Sequence, residues 1–172
     1  MKFEIPFDKN IHKEQNKLSF DLAWSKNLKR RRENLILGII LITLGILIII
    51  GQNNIGVIFI GMGILSLMFC YRANDYYIKN KKTYFDIINT EAEECLLAAD
   101  NEIWEFQEDY FRYKNYKQDS TLKWNAFSSL KKIDETIFLD TNIGIRFILS
   151  KKEVGSEKFE QIITFLENKI KQ

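Results

Sequence analysis

One histidine, one proline and two cysteines are all that this chain of 172 residues has of the residue types behind most metal sites, rigid turns and disulfide frameworks. His12 alone supplies no ligand set, and no HExxH, GxSxG, glycine-rich phosphate loop or Cys/His cluster is present. The dense alternating oxygen ligands of a calcium loop are missing as well. Cys70 and Cys95 form neither a CxxC pair nor a framework. Cys70 lies at the edge of an apolar segment and Cys95 in a part expected to face the cytoplasm, so both are expected as free thiols; Cys70 is also placed where palmitoylation occurs. Glu105, Glu108 and Asp109 gather carboxylates, but at a strand turn this is the pattern of a solvated tip. His12 is expected on the solvated surface of a helix. The sequence therefore assigns no catalytic, cofactor-binding or metal-binding residue. The first thirty-odd residues are charged throughout and lack the apolar core of a secretory signal.

Charge is absent from Leu35 to Tyr71, where two apolar runs, Leu35 to Ile50 and Ile55 to Cys70, are parted only by Gly51-Gln52-Asn53-Asn54. With a flanking residue or two, each run reaches the roughly 17 residues that a helix needs to cross a hydrocarbon core about 30 Å thick. Lipid cannot satisfy backbone amides, and an unbroken Ile/Leu run lacks the alternation of a barrel strand, so a transmembrane helical hairpin is expected. A hairpin buried in a soluble core is the alternative. Lys26, Lys29, Arg30, Arg31 and Arg32 precede the first run, Arg72, Lys79, Lys81 and Lys82 follow the second, and the turn is uncharged. By the positive-inside rule both termini lie in the cytoplasm. Gly38 and Gly45, like Gly56 and Gly63, stand seven residues apart and give each helix a small face for close packing. An ion or proton pathway has no ionisable group to stand on at membrane depth.

Charge is also uneven along the chain. Residues 1 to 34 carry nine Lys/Arg against five Asp/Glu, whereas residues 71 to 172 carry sixteen against eighteen. A basic juxtamembrane segment facing anionic lipid accounts for the excess, so nucleic acid is not needed as a partner. The abundance of Lys, Asn and Ile suits an AT-rich bacterial genome.

Along the chain, Phe3, Ile5 and Phe7 alternate with Lys2, Glu4 and Pro6, a short strand that Pro6 restricts to an edge or an end. Asp8 is placed to cap an amphipathic helix carrying Ile11, Leu18, Phe20, Leu22, Trp24 and Leu28. That helix is expected either in the headgroup region or on the C-terminal domain. Arg72 to about Asn89 continues the second helix, and Glu91 to Ala99 reads equally as helix or strand. From Ile103 the period is two, with strands over Ile103 to Gln107, Tyr110 to Asn115, Thr121 to Trp124, Leu130 to Ile133, Thr136 to Asp140 and Ile145 to Ser150. Ser156 to Ile170 is an amphipathic helix with Ser156 as its N-cap. Trp104 and Trp124 are expected in the core of the sheet, with a ligand groove as the alternative. The organisation is thus an N-terminal strand and juxtamembrane helix over 1–33, a hairpin over 34–71 and a cytoplasmic domain over 72–172. The fold class is α+β, a small antiparallel sheet or partial barrel capped by a C-terminal helix.

Three stretches resemble the YcxB-like membrane proteins of bacteria. Asn27-Leu28-Lys29-Arg30-Arg31-Arg32 leads into the first span as that family's basic segment does. Leu122-Lys123-Trp124-Asn125-Ala126-Phe127 is similar to its tryptophan-bearing stretch, and Phe147-Ile148-Leu149-Ser150-Lys151-Lys152-Glu153-Val154 to its strand before the last helix. Ser150, Lys152 and Val154 stand where the family pattern has proline, arginine and phenylalanine. The resemblance implies two membrane helices and a cytoplasmic domain similar to a pleckstrin-homology barrel, and it brings no catalytic residue.

The expected function is that of a non-enzymatic, multi-pass protein of a bacterial inner membrane, presenting a PH-like domain that binds a protein or an anionic lipid at the cytoplasmic face. Lys26, Lys29, Arg30, Arg31 and Arg32 are the expected membrane-surface contacts. Lys151 and Lys152, beside the last helix, are the expected anion or partner contacts, with a solvated pair as the alternative reading. The alternative function in view is an immunity protein that protects the producing cell against a secreted antibacterial toxin; a third, a membrane-bound enzyme, would require a carboxylate or His whose replacement abolishes an activity without unfolding the domain.

Overall fold

A proline and an aspartate set the first two elements. In the computed structural model, which describes residues 1–170, strand β1 covers Lys2–Ile5 and ends where Pro6 removes a backbone donor. Asp8 then opens a helix, its Oδ1 accepting from the backbone N–H groups of Asn10 (2.7 Å) and Ile11 (3.0 Å). Helix α1 runs over Lys9–Ile50 and helix α2 over Gly56–Ala98. No proline interrupts either, so the amphipathic segment and the first apolar run form one helix. Glu91 to Ala98 completes α2, in keeping with the helix propensity of its Glu, Ala and Leu residues. The chain divides into two compact units, Met1–Lys17 with Ile88 onward, and Leu18–Ile87.

In the second unit, the glycines decide how α1 and α2 meet. A Cβ on Gly45 would lie 2.7 Å from the carbonyl oxygen of Gly56, and one on Gly63 would lie 2.8 Å from that of Gly38. Neither fits, so the small faces permit backbone contact that any larger residue would push apart. Ser66 adds a hydrogen bond, its Oγ donating to the Asn34 carbonyl at 2.8 Å. Away from this contact, Leu47, Ile58 and Phe69 are 58%, 62% and 61% exposed. An apolar surface of this extent exceeds what a water-soluble monomer ordinarily shows. Both helices are long and apolar enough to cross a membrane. Nearer the start of α1, Phe20 is buried among the rings of Trp24, Tyr77, Tyr84 and Phe85, with centroids 5.1–5.8 Å away.

In the first unit, alternation produces seven strands. After β1 come β2 (Glu102–Phe106), β3 (Tyr110–Lys114), β4 (Asp119–Lys123), β5 (Phe127–Ile133), β6 (Thr136–Thr141) and β7 (Arg146–Ser150). They form two antiparallel sheets, ordered β1-β2-β3-β4 and β5-β6-β7, with β1 at an edge as Pro6 requires. Among the described residues no strand pairing joins the two sheets into a closed barrel. Helix α3 (Lys151–Val154) and helix α4 (Ser156–Lys169) follow. Phe159, Ile162 and Leu166 of α4 pack with Trp104, Phe106, Phe111, Phe127, Leu139, Phe147 and Leu149 in one buried cluster. Edge-to-face contacts dominate it, as between Phe111 and Phe147 at 5.0 Å. The architecture is α+β, with two long apolar helices and two small sheets.

Two local expectations are corrected. Trp104 is 2% exposed, but Trp124 lies in a 3-10 turn over Trp124–Ala126 rather than in a strand, and it is only half-buried. Its Nε1–H donates to the Gln107 carbonyl at 3.0 Å, and that polar anchor holds the ring at the rim of the core. Ser156 is the first helical residue of α4, not its cap; Gly155, at φ 81°, precedes it in a conformation that side chains disfavour.

Replacing Gly45 with valine should destabilise the full chain in detergent micelles by roughly 1–3 kcal/mol, the usual cost of overpacking. Gly61→Val should leave the melting midpoint unchanged, because no atom lies within 4 Å of a Cβ there. Equal midpoints for the two variants would show that the glycine contact does not hold the helices together.

Candidate functional site

The basic segment lies entirely on α1, so helical geometry spreads its charges around the axis. Lys26, Lys29, Arg30 and Arg32 are exposed. Arg31 is half-buried, its Nη1 donating to Asn74 Oδ1 of α2 at 2.5 Å, and its guanidinium lies 5.9 Å from the Tyr77 ring centroid. Lys81 approaches the same ring at 5.8 Å. None of the five basic residues forms an ion pair among the described residues. Their charge is therefore offset by nothing in the protein itself, which suits contact with external anions.

Lys151 and Lys152 stand in a different situation. Lys151 Nζ pairs with Glu135 at 3.1 Å, and Lys152 Nζ pairs with Glu14 of α1 at 2.6 Å. Both charges thus already have carboxylate partners in the fold, and an external anion would have to compete with them. On either side of them in the chain, Ser150 and Glu153 form a capping box: the Ser150 side chain accepts from the Lys152 N–H, and Glu153 accepts from the Ser150 N–H at 2.6 Å. Gln15 of α1 donates to the same Glu153 carboxylate at 2.5 Å. Burial pushes the Glu153 carboxyl up to about 7, against these two hydrogen bonds.

The sequence reading missed a polar cavity of about 200 Å³ in the α+β unit. His12 and Asn16 reach it from α1, Glu91 and Cys95 from α2, and Glu102 and Tyr113 from β2 and β3. Contrary to the surface position expected for it, His12 is half-buried, and its Nε2 lies 3.3 Å from Asn16 Nδ2. Burial lowers the imidazole pKa and raises those of the Glu102 carboxyl, the Cys95 thiol and the Tyr113 phenol. Every shift favours the uncharged form. The Trp104 Nε1–H, 3.3 Å from Glu102 Oε2, only partly offsets the desolvation of that acid. Burial thus favours the thiol of Cys95 over the reactive thiolate. Among the described residues no group of three or more His, Cys, Asp and Glu could hold a metal ion. Helical spacing places His12 with Asn16 and Glu91 with Cys95, four residues apart on each helix, and strand alternation places Glu102 with Trp104. Each face was readable, but the convergence of three faces was not.

The raised Glu153 pKa sets a pH dependence. The folded state holds the proton more tightly than the unfolded chain, where an ordinary value near 4.5 applies. The stability contributed is complete below that value and is lost as pH rises through about 7. Glu153→Gln keeps an acceptor oxygen for Ser150 and Gln15 but cannot ionise. Thermal melts of the full chain in detergent should show the wild type losing stability relative to this variant between about pH 4.5 and 8, and a constant difference would refute the assignment. Comparison of the chain with protein-family models, with curated proteins and with solved structures finds no match.

Proposed function

We propose that this chain is a non-enzymatic integral membrane protein. In this reading α1 and α2 anchor a PH-like interaction domain at the cytoplasmic face of a bacterial inner membrane, where it binds a protein or an anionic lipid. The observation that carries the reading is the pair of charge-free helical segments with exposed apolar surfaces, flanked on both outer sides by basic residues and joined by an uncharged turn. Support for a PH-like, YcxB-like domain comes from the order of parts: two long helices, then antiparallel sheets of four and three strands covered by a C-terminal amphipathic helix. Support for binding rather than catalysis comes from the cavity, where burial shifts His12, Glu102, Cys95 and Tyr113 towards their uncharged forms. The slight acidic excess of residues 71 to 172 favours a protein partner for the domain over a second lipid contact.

Topology is tested with single cysteines in a Cys70→Ala, Cys95→Ala background. Asn53→Cys should react with a membrane-impermeant maleimide on intact spheroplasts, and Lys82→Cys only after lysis. The reverse pattern, or reaction of both before lysis, would overturn the orientation. For the partner, the tagged full chain should recover one membrane or envelope protein at near-stoichiometric amount from its native cells. Recovery of a secreted toxin instead would replace this reading with that of an immunity protein.

A further inference from the structure

We infer that the cleft between α1 and α2, at the end of the apolar segments nearest the basic run, is a binding site for the headgroup of an anionic phospholipid. This rests on the reading of the two helices as membrane spans. The cleft has a volume of about 400 Å³, within the range of ligand pockets. Its α1 wall carries Asn27, Arg30, Arg31 and Asn34, at the i, i+3, i+4, i+7 spacing of one helix face. Its α2 wall carries Phe69, Ala73, Tyr76 and Tyr77, again on one face. Ala73 stands between Phe69 and Tyr77 at four-residue intervals, and its small side chain leaves the space that a larger residue would fill.

Polarity and position identify the occupant. Asn34 is the last residue before the charge-free stretch that starts at Leu35, and Phe69 is among the last residues of that stretch. The cleft therefore spans the step from apolar to charged sequence, the level at which lipid phosphates lie. Arg30 is exposed and has no carboxylate partner among the described residues. Arg31 is held in place by Asn74 at 2.5 Å and by the Tyr77 ring, so its remaining donors are preorganised for a phosphate. No aspartate or glutamate lines the cleft, and the Tyr77 ring is already approached by Arg31 and Lys81. The ammonium of a zwitterionic headgroup would meet no carboxylate there, only the rings of Trp24 and Tyr76 and two like charges, whereas a net negative headgroup meets two guanidinium groups.

The test uses the purified full chain in detergent, with fluorescent phosphatidylglycerol as probe, phosphatidylcholine as the zwitterionic comparison and free glycerophosphate as competitor. Wild type should prefer phosphatidylglycerol, and the double variant Arg30→Gln, Arg31→Gln should lose roughly tenfold or more in affinity, the scale of a lost charge-assisted contact. Lys114→Gln with Lys123→Gln removes equal charge outside the cleft and should lose less than about threefold. Ala73→Leu keeps every charge and fills the space; it too should lose binding. Equal losses in the two charge variants, unaltered binding by Ala73→Leu, or competition by glycerophosphate as effective as that by lipid would each overturn the site. Alkaline carbonate extraction of native membranes separates this from the broader reading: lipid preference absent from a protein that stays in the pellet defeats the cleft alone, whereas extraction of the protein defeats the membrane anchor as well.

Discussion

The first strand pairs with one that follows both long helices in sequence, and the four-stranded sheet depends on that closure. Phe3 of β1 stands opposite Trp104 of β2, and the N-terminal amine donates to the Phe106 carbonyl at 2.7 Å. A flexible connection of this length would charge the pairing with a large closure entropy. Here α1 and α2, of 42 and 43 residues, meet through glycines at Gly45 with Gly56 and Gly38 with Gly63, and their helical order removes most of the freedom that a coil would have to lose.

Burial sorts the ionisable groups into two classes. Around the sheets, lysines are largely neutralised by carboxylates: Lys151 by Glu135, Lys152 by Glu14, Lys169 by Glu108 at 2.5 Å, and Lys117 by Glu94. Exposed pairs of this kind contribute little to stability, but they cancel the field of the domain. The groups that burial does reach, Glu102, Glu153, His12, Cys95 and Tyr113, are driven towards neutrality instead. The run Lys26 to Arg32 on α1 is among the basic residues without an ion pair in the described structure. It adjoins the first apolar segment, where an anionic surface would attract it.

The strand and helix pattern of the α+β unit was legible because its signals are local. Alternation in Ile103 to Ser150 follows from the pleat, and the stripe of Phe159, Ile162, Ile163 and Leu166 from the helical repeat. The glycine faces of the hairpin were legible for the same reason. Trp124 was misplaced because a large aromatic in an alternating stretch reads as core, whereas one hydrogen bond to Gln107 places it in a turn at the rim. Of the N-terminal helix, left between lipid and domain, Glu14 and Gln15 bond to Lys152 and Glu153, while Phe20 and Trp24 pack against rings of α2.

By itself the sequence determined the elements, the two apolar spans and the places where charge accumulates, since each depends on residues within a few turns of one another. Only the tertiary structure decided that Lys151 and Lys152 are paired, that His12 meets Glu102 and Cys95 in one cavity, and that Arg31 and Tyr77 share a cleft. Those pairings join residues far apart in the chain. Their geometry is set by helix length, strand register and the closeness that glycine allows, and no single stretch of sequence records all three.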